Sequence, residues 1–358
     1  MTPRTRDLLP RSLPIALLCL GLVICAFAPH LWVIANHAPA SYEWSRGTTY
    51  LRQCAHPFDQ SVEPAMRWRL LPALVAHGLG LRGNAPFVIP WLGVVVLVSW
   101  VATRLLGILD DWRYAVGGTL VLASTSACLV PIGWLGMNDA WVWLGLLVVA
   151  FSESRAALVS ACLFAPWVDE RFLIGLPLAW AVRIVSGTER LPTARSLIWP
   201  VLLVLPYAAI RIGLGGAPWA EHVERSFLRD QVRTSIQSLH LAPIAWWMGL
   251  RVGWAAIVYA ILSLCRTDRW IVSALAAATA LISLLLASDM SRSIAILCPL
   301  VMLGLIELAR RRPADAPRIA VWAGVIALLI PAAHVVYHTI APIDNLVFEL
   351  VRLHRIHP

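Results

Sequence analysis

An all-α, polytopic transmembrane fold is predicted by three observations. The chain has 358 residues, of which 59% are hydrophobic and 14% charged, whereas a soluble domain is nearer roughly 45–50% apolar and about 25% charged. Its mean hydropathy is +0.73. Apolar runs of about 17–25 residues recur along its length, and in lipid only helices or closed barrels satisfy the backbone internally. Barrel strands alternate in polarity, and these runs do not.

The first run follows Arg4, Arg6 and Arg11 and covers residues 13–35. It is longer than the roughly 7–15 residues of a secretory signal and lacks a convincing small-residue cleavage site, so it predicts an uncleaved span. A polar passage then runs from 36 to 72, carrying Tyr42, Glu43, Arg46, Tyr50, Arg52, His56, Asp59, Glu63, Arg67 and Arg69. Loops longer than about 12–15 residues inside a compact architecture are usually functional or disordered. The even mixture of acids, arginines and aromatics here predicts the wall of a site. Residues 70–81 are apolar but too few to cross, which predicts an interfacial or re-entrant helix and extends the first outer loop to 36–85. Further spans are predicted near 86–107, 114–134, 140–152, 156–168, 172–187, 196–214, 244–264, 270–287, 293–309 and 319–340, making about eleven crossings in a single integral-membrane domain, 1–358. The pair flanking Ser154 is short enough to be one broken hairpin. A second outer loop, 215–243, has Phe227, Leu228, Val232, Ile236 and Leu239 at helical spacing, which predicts an amphipathic helix on the bilayer surface.

The basic residues are all arginine, 29 in number, and the net charge is +9. Codon bias together with positive cytoplasmic loops accounts for such an excess. Nucleic-acid binding needs a basic face on a soluble domain, and none is predicted. An amino terminus in the cytoplasm puts the arginine-bearing short loops at 110–113, 152–155, 183–195, 266–269 and 310–318 on the same side. Five polar islands then share the outer face: the 36–72 passage, Met137-Asn138-Asp139, Trp167 to Arg171, the 215–243 loop, and Ser288 to Arg292. Of the seven cysteines, only Cys54 lies outside an apolar run. No CxxC or Cys/His spacing signals redox chemistry or a metal, and no cofactor or divalent cation is signalled.

The outer islands supply the candidate site residues. Arginine suits a phosphate or pyrophosphate anion, and a carboxylate beside it suits removal of a proton from an acceptor hydroxyl. Glu43 and Asp59 are the candidate bases, each weighed against a plain salt bridge or solvated position. Arg67 and Arg69 flank the short helix and serve either an anion or lipid headgroups by snorkelling. Asp139 forms part of the second island. Asp169, Glu170 and Arg171 crowd a tight hairpin tip, where a mere polar turn is the alternative. Asp289 and Arg292 are spaced for an i,i+3 ion pair. Arg251 falls inside an apolar run, where an ionisable group is a functional candidate by default.

The arrangement resembles the GT-C superfamily of integral-membrane glycosyltransferases, in its outward acid-bearing first loop with surface helices, its many short spans and its polar groups gathered on one face. Pro57-Phe58 followed by Arg69-Leu70-Leu71-Pro72 is similar to the end of the first loop in bacterial GT-C-like proteins. Asp169-Glu170-Arg171-Phe172 before Leu176-Pro177-Leu178, and Asp289 with Arg292 before Pro299, look like the same group. The resemblance implies a sugar carried on a polyprenyl phosphate as donor, a glycan, lipid or protein as acceptor, and a location in the bacterial inner membrane among its lipids. In the superfamily the first-loop acid, often aspartate, is the base. Glu43 holds the nearest position, with Asp59 as competitor, and Arg67, Arg69 and Arg292 would hold the phosphate. No large soluble carboxy-terminal domain of the kind many members carry is predicted from these residues, which leads to the expectation that the loops recognise the acceptor. A transporter or flippase of a lipid-linked or anionic substrate, and a noncatalytic subunit of an envelope polysaccharide assembly machine, are the alternatives. A flippase would favour repeated halves and midplane charges.

Overall fold

A computed structural model describes residues 3–27, 29, 42–59, 61–62, 64–188, 194–215, 229–286, 289–336 and 338–356. It is mostly helical. After α1 (Pro3–Ala26), the polar passage contains α2 (Tyr42–Ala55), α3 (Pro64–Arg67) and α4 (Leu70–Gly78). At 1.5 Å per residue α4 is about 14 Å long, under half of the ~30 Å hydrocarbon layer, so it does not cross. Next come α5 (Val88–Leu109), α6 (Trp112–Ala123), α7 (Ser126–Gly133), α8 (Asp139–Phe151), α9 (Arg155–Phe164), α10 (Arg171–Val185) and α11 (Ala194–Gly215). The remainder is α12 (Ala242–Leu250), α13 (Gly253–Ser263), α14 (Arg266–Leu286), α15 (Met290–Ser293), α16 (Cys298–Arg311), α17 (Ala316–Leu329), the antiparallel hairpin β1 (Ala332–Val336) and β2 (Thr339–Ile343), and α18 (Leu346–Ile356).

Among the described residues four helices are long and apolar enough to cross a membrane, or six if each of two bent pairs is one span, rather than the expected eleven. Local chemistry explains the difference. The run at 114–134 breaks between α6 and α7 with a bend of 63°, where the Thr125 hydroxyl accepts from Ala127 N–H at 3.3 Å and caps a new helix. The run at 244–264 bends by 88° at Arg251. The runs flanking Ser154 form helices of 13 and 10 residues, short of a crossing. The expected last span also ends early. Pro331 disfavours helix at the residue before it, Ile330 turns to φ −71°, ψ 128°, and the chain continues as the β1–β2 hairpin instead of a helix to 340.

The core centres on α8 and α16. Trp143, Leu146 and Leu147 of α8 pack with Leu300, Val301 and Met302 of α16 in one buried cluster. Close approach needs small residues, as is usual between membrane helices: a Cβ on Gly304 would collide with the Ala256 carbonyl, and one on Gly117 with the Ala320 backbone. At the periphery the polarity is inverted relative to a soluble helix. Trp199 and Leu205 on α11, and Trp270, Ile271 and Leu281 on α14, point outward. Such exposed apolar surface is compatible with a hydrocarbon surround.

Arginines close the carbonyl ends of helices. Arg104 donates to Phe151 O at 2.7 Å and Arg183 to Val149 O and Ser152 O at 3.1 and 2.7 Å, all at the end of α8. Arg310 donates to Ser186 O at 3.1 Å after α10, and Arg311 and Arg269 reach carbonyls at the end of α13. The last carbonyls of a helix have no intrahelical donors and carry the negative end of its dipole, so a guanidinium satisfies both. One end of the bundle is thereby finished with arginine. The opposite end, about 20 Å away along α8, carries a different polar cluster.

Candidate functional site

The start of α8, the tip between α9 and α10, the start of α15 and the residue before α4 meet at that second end. Asp139 opens α8, where the helix dipole favours an anion. Asp169 precedes α10 and accepts from the Arg171 backbone N–H at 2.9 Å, so it caps the helix while chelating the Arg171 side chain through Nε at 2.8 Å and Nη2 at 2.7 Å. Arg171 Nη2 also donates to Asp139 Oδ1. Arg292 Nε donates to the other oxygen of Asp139 at 2.8 Å and its Nη1 lies 3.4 Å from Asp289 Oδ2. Arg69 reaches Asp169 at 3.1 Å and Glu170 at 3.3 Å. Asp289 Oδ1 lies 2.6 Å from His334 Nε2, and the other His334 nitrogen, Nδ1, is 3.0 Å from Ser291 Oγ. Ser291 in turn accepts from Val335 N–H at 2.8 Å, tying in the hairpin.

These groups are buried: Asp139 is 1% exposed, Asp169 2% and His334 2%. Three arginines, 69, 171 and 292, face three aspartates, 139, 169 and 289, and Arg69 is shared with a fourth carboxylate, Glu170. Burial opposes ionisation of Asp169, but Arg171 and Arg69, with Arg292 behind them, hold its carboxyl well below the usual range. Burial likewise opposes ionisation of Asp289, and His334 together with Arg292 and Arg171 outweighs it, holding that carboxyl at about 2. Carboxylates so stabilised are weak bases. Their chemical role is to fix guanidinium groups in place, each of which keeps N–H directions to spare. Arg171 is further seated over the Trp143 ring, 5.2 Å from its centroid.

A small pocket of about 20 Å³ lies against the network, walled by Arg69, Asp139, Asp169 and Arg292, with room for about one water. Its opposite wall comes from α2, through Arg46, Tyr50 and Gln53, and Asn138 completes the rim. The α2 wall is anchored by Gln53 Nε2, which donates to Met66 O at 2.8 Å, and by Tyr50, whose hydroxyl donates to Pro86 O at 3.3 Å.

Of the residues expected from sequence, Arg69, Asp139, Asp169, Glu170, Arg171, Asp289 and Arg292 come together. Four stand apart. Asp59 sits in a turn, accepting from the Ser61 hydroxyl and N–H at 2.6 and 2.9 Å and pairing with Arg52 at 2.8 Å. Those bonds, with Ser61 first, hold its carboxyl below the usual range, and it does not line the pocket. Arg67 donates to Val62 O at 3.3 Å. Arg251, fully buried, donates to Ser124 O at 2.8 Å, to Ala327 O at 2.5 Å and to Ile330 O, closing the ends of α6 and α17, and lies 4.4 Å from the Phe27 ring centroid. The backbone of Glu43 belongs to the first turn of α2, but its side chain lies outside the described residues, as do Glu221, Glu224 and Arg225 of the second loop. Sequence reasoning missed His334, Ser291 and the pocket roles of Tyr50, Gln53 and Asn138. The signal that could have found His334 is a histidine inside the expected last span, three residues after Pro331, although His338 carries the same signal. Among the described residues no three metal-ligating side chains gather.

Compared with known families, curated proteins and solved structures, the chain finds no match.

Proposed function

We propose that the protein is a membrane glycosyltransferase of the GT-C type, moving a sugar from a polyprenyl-phosphate donor to a glycan, lipid or protein acceptor. The observation that carries this reading is the convergence, in a chain with only 14% charged residues, of Arg69, Arg171 and Arg292 with three aspartates beside a polar pocket at one end of an apolar helical bundle. Buried ionisable groups of this density in a membrane protein are functional by default. Arg69, Arg292 and Arg46 border the pocket, which itself admits no more than about one water, and supply guanidinium groups suited to a phosphate docking against its rim, where they would stabilise charge that develops on the leaving group. Asp139 and Asp169 orient them. Because both aspartates are engaged by arginine, the base is sought on α2, where Glu43 remains the candidate, and Asp59 is set aside. The arginine-capped end lies in the cytoplasm under the positive-inside rule and the pocket faces outward from a bacterial inner membrane.

A specific observation favours a second reading: Arg171 and Arg292, both buried, are tied to aspartates of other elements, which suits a lock between helices in a noncatalytic assembly subunit. Transfer of radiolabelled sugar from polyprenyl-phosphate donors to membrane lipid and glycan fractions, by purified folded protein, separates the two. The transferase reading expects product that depends on protein and donor. Binding of polyprenyl phosphate with no product from any donor supports the subunit.

A further inference from the structure

The last helix, α18, is built inside out. Asn345 starts it, its side-chain oxygen accepting from the Phe348 N–H at 3.0 Å, the bond of an N-cap. Val347, Leu350 and Val351 follow at i, i+3 and i+4, which puts them on one face. With Phe348 beside them they are 46% to 71% exposed. Glu349, on the opposite face, is fully buried. Arg352 turns back to it, its Nη1 lying 3.3 Å from Glu349 Oε1 and 3.0 Å from Asp344 Oδ2. A helix on the surface of a soluble protein does the reverse, burying its apolar stripe and wetting its charges. The order found here suits an apolar surround.

Placement and size identify that surround. α18 packs against α1, a helix long and apolar enough to cross a membrane, whose Leu17, Leu18 and Leu22 are exposed. α1 in turn packs against α17, which exposes Trp322, Ile326 and Leu329. The outward face of α18 thus extends the outward surface of membrane helices. Its eleven residues make a rod about 16 Å long, half of the ~30 Å hydrocarbon layer, so it does not cross. A rod about 10 Å wide and of that length offers roughly 160 Å², far less than the about 800 Å² per partner of a stable protein interface. Its level follows from the hairpin. Ala332 pairs with Ile343, which starts α18 beside the end of α17, and the Val335 N–H is bonded to Ser291 at the ion network.

We propose that α18 is a membrane-surface helix at the pocket's end of the bundle, seating Val347, Leu350 and Val351 among the acyl chains of phospholipids while Glu349 and Arg352 stay against the protein. His354, exposed in the last turn, ends the stripe where a polar tip reaches the headgroups. This holds whatever the activity of the pocket, and it sets the pocket's end of the bundle at the boundary between lipid and water.

The test reconstitutes the full chain in vesicles of phosphatidylethanolamine and phosphatidylglycerol, with a nitroxide on Val347→Cys, Leu350→Cys or Val351→Cys in turn. Cys25→Ser and Cys265→Ser first remove the two exposed thiols. Power saturation then compares relaxation by oxygen, which concentrates in hydrocarbon, with relaxation by a neutral nickel chelate, which stays in water. Oxygen is expected to dominate at each of these positions, reversing the ratio at an Arg312→Cys label on the exposed opposite end. If the cysteine variants fail to fold, a photoreactive diazirine residue at position 348 replaces them and is expected to yield phospholipid adducts. A ratio dominated by nickel, or no lipid adduct, puts the face in water and overturns the proposal. Spin–spin broadening between copies, with both reagents excluded, assigns the face to a second copy of the chain and overturns it as well.

Discussion

Asp139 illustrates how much depends on one carboxylate. Its two oxygens serve Arg171 and Arg292, which arrive from elements 32 and 153 residues away in sequence. Replacing one member of a buried charge network leaves its partners uncompensated and costs about 3–5 kcal/mol. Asp139→Asn is therefore expected to lower thermal stability in detergent severely, with the loss read from the melting temperature. Asp289 makes a prediction in pH. Its folded carboxyl is held at about 2, below the unfolded value of about 3.9. Its contribution is therefore complete above about pH 4 and is lost as pH falls toward 2. An acid titration of melting temperature should show this loss in wild type, and Asp289→Asn should flatten that part of the curve. At this scale the sequence was informative where charges interrupt apolar runs: Asp139, Asp169 to Arg171, Asp289 and Arg292 stand out because each is costly to bury alone. It singled out Arg251 by the same signal but could not name its partners, which are carbonyls. A carbonyl freed by a helix end has no residue type to announce it.

Arg251 is also the clearest case at the level of elements. It caps α12 with φ 52° and ψ −121°, a region sparsely populated by residues with a Cβ. The α12–α13 break and the ends of α6 and α17 are joined through its guanidinium. Arg251→Lys keeps the charge but loses the planar fork that serves three carbonyls at once. It is expected to cost at least about 2 kcal/mol, since two buried acceptors lose their donors, and thermal melting checks this. A melting temperature equal to wild type would mean that the fork is dispensable. The short α4, the long α5 and α14, and the long stretch from α15 through α16 followed from run length alone. Breaks within α6–α7 and α12–α13, and the hairpin in place of the expected last span, did not. An apolar run continues unchanged through a Thr cap or a bend, because both faces of the bend remain in hydrocarbon or core.

The whole molecule reads as an apolar bundle with two unlike ends, one closed by arginines on carbonyls and the other holding the ion network and its pocket. If the arginine end is cytoplasmic, Cys265, an exposed thiol just before α14, should resist a membrane-impermeant maleimide in intact spheroplasts and react in inside-out vesicles, tested in a Cys25→Ser background. The reverse pattern would turn the pocket inward and contradict a donor approached from outside. The central claim is that the pocket, and not the exposed loop around Asp59, carries out glycosyl transfer. It is tested most directly by polyprenyl-phosphate-dependent sugar transfer with purified wild type, Arg69→Lys and Asp59→Asn. The account predicts transfer by wild type, a loss of at least tenfold in Arg69→Lys with the protein still folded, and near-normal transfer in Asp59→Asn. Absence of transfer in wild type, or a loss confined to Asp59→Asn, would contradict it.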